Sequence, residues 1–117
     1  MSGICDFCSA PNPPWQEVCP EDEYKLIGVQ HGREFDTGWA GHSLGDHWAA
    51  CRKCHTIIAK GDAVALARRG ADHLVRKRQD FRLLVAQGLL SYTDVVAMTR
   101  RSQAPFWRKR TGESRPR

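Results

Sequence analysis

The spacing of apolar residues changes along the chain, and each change marks an expected element. Cys5-Asp6-Phe7-Cys8-Ser9-Ala10-Pro11-Asn12-Pro13-Pro14 has no periodicity, and its Pro and Asn residues predict a tight knuckle followed by a turn. Residues 24–30 place Leu26, Ile27 and Val29 in a short β-prone run, and residues 33–39 return across His31-Gly32, which predicts a β-hairpin. Gly38, Gly41 and Gly45 then predict a loop-like approach to Cys51. From Cys51 onward the period is helical. Ile57, Ile58 and Ala59 form a short helix ended by Gly61, and Asp62 caps another containing Val64, Leu66 and Ala67, with Gly70 as its expected stop. Asp72 is the expected cap of a third, in which Leu74, Val75, Phe81, Leu84 and Val85 recur on one face up to Gly88 while Arg76, Lys77, Arg78 and Arg82 fill the positions between. That apolar stripe is expected to pack on the N-terminal part. Ser91 and Asp94 have capping-box spacing ahead of Val95, Val96 and Met98, and Ser102 is placed to cap a further helix near Pro105.

Two Cys-x-x-Cys pairs, Cys5 with Cys8 and Cys51 with Cys54, add candidate chemistry to this outline. Two intervening residues let one knuckle aim both sulfurs at a single ion, and two such pairs supply the four thiolates of a tetrahedral Zn2+ site. An N-terminal knuckle, a hairpin, and a second pair opening a helix resemble the treble-clef zinc finger, with a zinc ribbon as the close alternative. In a treble clef Cys51 and Cys54 would stand at a helix N-terminus, where exposed N–H groups favour thiolate charge. Cys19 is left over and reads as a small buried apolar residue.

The expected fold class is therefore α+β: a small zinc-stabilised module of treble-clef or zinc-ribbon type with a short hairpin, followed by a helical C-terminal half. The expected divisions are residues 1–61 for the zinc module, 62–104 for amphipathic helices packed on it, and 105–117 for a basic aromatic tail that frays after Thr111. At 117 residues the chain can bury most of its unfolded surface, yet it remains small enough to benefit from a metal staple.

Charge divides the chain unevenly. Residues 1–60 carry 5 Lys/Arg and 8 Asp/Glu, a net −3, whereas residues 61–117 carry 13 and 5, a net +8. Such polarity steers an anionic partner to the C-terminal half. Trp107 beside Arg108, Lys109 and Arg110, with Arg100 and Arg101 upstream, combines a stacking surface with phosphate-compatible cations, so these six residues form the expected nucleic-acid contact. The competing expectation is an adaptor that uses the same cations to dock an acidic protein surface. Two helices around Gly88-Leu89-Leu90 also outline a weak helix-turn-helix.

Five cysteines cannot all pair as disulfides, Met1-Ser2-Gly3-Ile4 lacks an export-signal pattern, and no apolar run approaches the roughly 18 residues of a membrane span. The expectation is a cytoplasmic chain with reduced thiols and no membrane contact.

Enzymatic readings fare less well. Cys51-Arg52-Lys53-Cys54-His55 spells a haem-attachment motif, but that would leave Cys5 and Cys8 unexplained. Asp46-His47 and His55 resemble pieces of an HNH-type nuclease, in which His47 would activate water and His55 would hold a divalent ion. In that family the Asp-His strand lies well upstream of the second cysteine pair, whereas His47 precedes Cys51 by only four positions. Binding without catalysis is the expected mode of action.

Taken together, Cys5-Asp6-Phe7-Cys8-Ser9, Trp48-Ala49-Ala50-Cys51-x-x-Cys54-His55, Gly61-Asp62 and Phe106-Trp107-x-x-Arg110-Thr111-Gly112 resemble small zinc-ribbon-like proteins of actinobacteria and their phages. The resemblance implies zinc ligands at the same four cysteines and no particular activity.

Overall fold

The computed structural model describes residues 3–43 and 45–117, in the order β1 (Trp15–Val18), β2 (Asp22–Gln30), β3 (Arg33–Ser43), β4 (His47–Ala50), α1 (Arg52–Ala59), α2 (Ala63–Lys77), α3 (Gln79–Ala86), α4 (Tyr92–Lys109) and β5 (Ser114–Pro116). The class is α+β. Two antiparallel sheets form, one of order β4-β1-β5 and one consisting of the β2-β3 hairpin. Among the described residues no helix is long and apolar enough to cross a membrane.

The hairpin turns where expected. His31 (φ 51°) and Gly32 (φ 77°) both lie in the left-handed region, the requirement of a two-residue turn whose twist matches the strands. Its strands run further than the glycines suggested, because Gly28 and Gly41 are cross-strand partners of Phe35 and Tyr24, whose rings lie over them. A β-carbon on either glycine would fall 2.3–2.4 Å from ring carbon, so these positions create room for an aromatic rather than a loop. The pairing shifts register between Lys25 and Ile27, where Thr37 Oγ1 donates to the Leu26 carbonyl at 2.7 Å.

The hairpin tip is fastened to α4. Ser91 accepts from the Asp94 amide at 3.0 Å, and the Asp94 carboxylate, 2% exposed, accepts from the amides of Ser91, His31 and Gly32. One carboxylate thus caps a helix and holds a turn more than sixty residues away. Those bonds from Ser91 and Gly32, opposed by burial, hold the Asp94 carboxyl down at about 2.

Several elements differ from the sequence expectation. The helix expected to stop at Gly70 continues as α2 to Lys77, because Gly70 is buried where the knuckle crosses: a β-carbon there would meet the Phe7 carbonyl at 2.6 Å and Thr99 Cγ2 at 3.0 Å. The stripe expected to run unbroken to Gly88 is interrupted at Arg78 (φ −88°, ψ 116°), whose guanidinium pairs with Asp80 at 2.8 Å. Beyond that break α3 has no buried residue, so Phe81, Leu84 and Val85 cover the molecule only partly. No new helix begins near Pro105, since α4 runs through it to Lys109. Finally, β1 and β4, not anticipated from local pattern, pair Trp15 with Ala50 and Val18 with His47.

The C-terminal residues are woven into the core rather than frayed. Phe106, fully buried, packs edge-on to Phe7 at 4.9 Å and against Trp48 at 5.4 Å. Strand β5 pairs with β1 from Trp15↔Pro116 to Glu17↔Ser114, and the Arg117 amide donates to the Pro14 carbonyl at 2.8 Å. The boundary expected at residue 105 therefore falls inside one helix and one core.

Candidate metal centre

Each cysteine pair is positioned by backbone bonding before any ion is considered. In the knuckle, the Cys5 amide donates to the Ala10 carbonyl at 2.7 Å and the Ser9 amide to the Cys5 carbonyl at 2.8 Å, with Ser9 at φ 64° closing the bend. The second pair begins where β4 ends: Cys51 occupies the N-cap of α1, and its sulfur accepts from the Cys54 amide at 3.4 Å. Sulfur stands there where Ser or Asp usually does, so unpaired helix N–H groups face a potential thiolate. The pairs are then joined: the Asp6 amide donates to the Ala49 carbonyl at 2.8 Å, and the Ala49 amide donates to Asp6 Oδ2 at 2.6 Å. That two-way link between knuckle and β4 closes the long segment from Ser9 to Ala50.

Cys5, Cys8, Cys51 and Cys54 bring their sulfurs within 4.8 Å of one another, with Cys8 and Cys51 3.6 Å apart. A tetrahedron with metal–sulfur bonds of about 2.3 Å has edges of about 3.8 Å, so the cluster has the dimensions for one ion. All five cysteines are free thiols and all four of the cluster are buried.

Hydrogen bonds to Cys5 and Cys8, together with burial, push the Cys54 thiol far up, while bonds from Cys5 and Cys54 hold Cys8 far below the usual thiol range. A divalent cation held by the four sulfurs would give every thiolate a counter-charge.

Arg69, not anticipated from the sequence, completes the surroundings: its guanidinium reaches from α2 to the Cys51 sulfur at 3.8 Å. Burial opposes its charge, yet the bond to Cys51 and the field of the thiols outweigh that and keep it protonated. Four thiolates around a divalent ion would leave a double negative charge, half of which this cation offsets. No motif spacing links Arg69 to Cys51, although position 69 lies one residue before the close approach at Gly70.

Beside the cluster, His55 is stacked on Trp15 at 4.0 Å between ring centres and 8° between planes, and its Nδ1 is bonded to Glu17 Oε1 at 2.6 Å. Ser114 Oγ donates to the other Glu17 oxygen. Glu17 is 4% exposed, so this carboxylate ties α1, β1 and β5 together. His47, the other histidine of the nuclease expectation, has its Nδ1 on Asp46 at 3.0 Å.

The six residues expected to contact nucleic acid separate. Arg100, Arg108 and Lys109 are exposed, Arg101 lies 3.6 Å from Glu34, and Trp107 is half-buried against Phe106. Arg110 is spent on the fold, 5.2 Å over the Trp107 ring and 3.5 Å from the Ile58 carbonyl. Cys19 is buried with its sulfur 3.9 Å from the Phe106 carbonyl and takes no part in the cluster.

Compared with known proteins, the chain matches no family model, no curated protein and no solved structure.

Proposed function

We propose that Cys5, Cys8, Cys51 and Cys54 hold one structural Zn2+ ion in a treble-clef arrangement, and that the module so formed binds nucleic acid through its basic C-terminal half. The observation that carries the metal assignment is the buried tetrad, with exposures of 1, 7, 8 and 0% in chain order: four sulfur donors leave an ion no position for water or substrate, which suits a structural role. Cys51 and Cys54 at the start of α1, facing a knuckle fixed to β4, favour the treble clef over the ribbon. The net +8 of residues 61–117 supports an anionic partner, and α4 exposes Arg100, Arg108 and Lys109, together with Arg101 beside Glu34. His55, covered by Trp15 and bonded to Glu17, reads as structural, which supports binding without catalysis.

Elemental analysis and native mass spectrometry of the purified chain test the first half, with one zinc per chain expected. Fluorescence anisotropy with labelled oligonucleotides tests the second. Affinity should fall with salt, and Arg108→Gln with Lys109→Gln should flatten the dependence of log affinity on log salt by about 0.7 for each phosphate of a single strand that is no longer neutralised. A second reading, docking to a protein, is favoured by Trp39 on β3, 74% exposed. Partner capture that survives nuclease digestion and is lost in Trp39→Ser would select it.

A further inference from the structure

Trp39 is the most exposed large apolar side chain among the described residues, and the backbone beneath it is fixed. Lys25 pairs with Ala40 and Ile27 with Asp36, so Thr37, Gly38 and Trp39 all stand opposite Leu26 and form a bulge on β3. Gly38 takes φ 79° and its amide donates to Asp36 Oδ1 at 2.9 Å. The Trp39 amide donates to Thr37 Oγ1 at 3.2 Å, and that hydroxyl is itself bonded to the Leu26 carbonyl. A bulge blunts a sheet edge without needing an indole. A large ring presented on a bonded turn has instead the character of an interface anchor, since little freedom is left to lose when it is covered.

The hairpin around this anchor is acidic. Residues 21–42 carry two Lys/Arg and five Asp/Glu, a net −3. The Glu23 side chain is 81% exposed, and the pairs of Asp36 with Lys25 and of Glu34 with Arg101, both 3.6 Å long and at the surface, are easily exchanged for others. Such a surface repels a polyanion and fits a basic protein face.

The chain carries a face of that kind itself. The knuckle and α2 wall a groove of about 500 Å3, with Ala10 and Pro11 on one side and His73, Arg76 and Lys77 on the other. Residues 68–77 hold four Lys/Arg and one acidic residue, a net +3, and that residue, Asp72, accepts the Tyr92 hydroxyl at 2.7 Å. Arg69 is committed to Cys51, but Arg76 and Lys77 are exposed and have no ion-pair partner among the described residues. A groove with apolar residues on one wall and cations on the other suits an indole, the ring that cations favour most.

We propose that the chain associates with itself head to tail: the Trp39 bulge of one copy seats in the groove between knuckle and α2 of the next, and the acidic hairpin lies along Arg76 and Lys77. The two surfaces differ, so the contact is heterologous and builds a ring or an open chain according to the rotation between copies. The inference rests on the protein-docking reading above, whose partner it names, and it requires no nucleic acid.

The test is sedimentation equilibrium of the full, zinc-loaded and nuclease-treated chain, from about 1 μM to about 1 mM. The average mass should rise above the 13.2 kDa of one copy as concentration increases, and fall back as salt is added. Trp39→Ser should weaken association about thirtyfold, and Arg76→Gln with Lys77→Gln at least about tenfold. Both changes lie at exposed positions, and unchanged thermal melts confirm that each variant is folded. The decisive arm mixes the two variants. Each then keeps one working surface, so the mixture should form a pair and stop at twice the mass of one copy. Association that survives the Arg76/Lys77 change, or a mixture that stays monomeric while the native chain assembles, would overturn the head-to-tail contact. A native chain that is monomeric at every concentration would overturn self-association altogether; Trp39-dependent capture of another protein would still uphold the docking reading, and its absence as well would end both.

Discussion

Arg69 shows how one side chain can set the chemistry of residues to which no sequence pattern connects it. Its bond to the Cys51 sulfur puts a positive charge beside a candidate ligand cluster that would be doubly negative with a divalent ion bound. Loss of a partner to a metal ligand typically costs 10–100-fold in metal affinity, so Arg69→Gln should weaken zinc retention by about that factor in a chelator competition. Equal retention by the variant and the native chain would show that the helix N–H groups suffice. Next to it, Gly70 decides how closely α2 can lie on the knuckle. Gly70→Ala drives a β-carbon to 2.6 Å from the Phe7 carbonyl, backbone that cannot rotate away, and should destabilise the fold by about 1–3 kcal/mol in thermal or urea melts. In the sequence Gly70 read as a helix stop, because the same residue type ends helices and permits close contact; only the neighbour distinguishes the two uses.

Among elements, α4 does the most to unite the chain, and it is secured at both ends. Its N-terminus holds the hairpin tip through Asp94, and its C-terminal turn carries Phe106 into the core. Asp94→Ala would leave three backbone N–H groups without their charged acceptor and should cost about 2–3 kcal/mol. The folded carboxyl sits at about 2, below its ordinary value of 3.8, so its contribution is fully present above that ordinary value and is lost as pH falls toward 2. The stability difference between the native chain and Asp94→Ala should therefore shrink over that interval; a constant difference down to pH 2 would contradict the assigned role. The Ser91–Asp94 box and the His31-Gly32 turn were legible in advance because each is defined by residues within one turn of chain. Their bond to one another was not, since sixty residues separate them. The break between α2 and α3 was equally hidden, as Arg78 is neither Gly nor Pro and the pattern runs through it unchanged.

For the whole molecule, metal and core are expected to stand or fall together. Cys5 and Cys8 flank Phe7, which stacks on Trp48 at 5.3 Å and meets Phe106, so the knuckle that carries two candidate ligands also carries the centre of the aromatic core. Structural zinc contributes about 10–16 kcal/mol in small peptides, comparable with or larger than the whole stability of a typical domain, about 5–15 kcal/mol. Chelation, or Cys54→Ser, should abolish cooperative melting rather than shift it slightly, as followed by near-ultraviolet circular dichroism of the tryptophans. A chelated chain that keeps its melting transition would show that the aromatic core suffices without an ion.

Sequence alone determined the four candidate ligands, the two-residue turn, the helical C-terminal half and its charge, because each is written in short-range spacing or in composition. Tertiary structure decided the rest. Strands β1, β4 and β5 are three or four residues long and exist only by pairing with one another across the chain, as Trp15 does with both Ala50 and Pro116. The segment expected to fray after Thr111 became a sheet edge for the same reason: a short stretch with weak local preference takes the conformation that satisfies the backbone of β1.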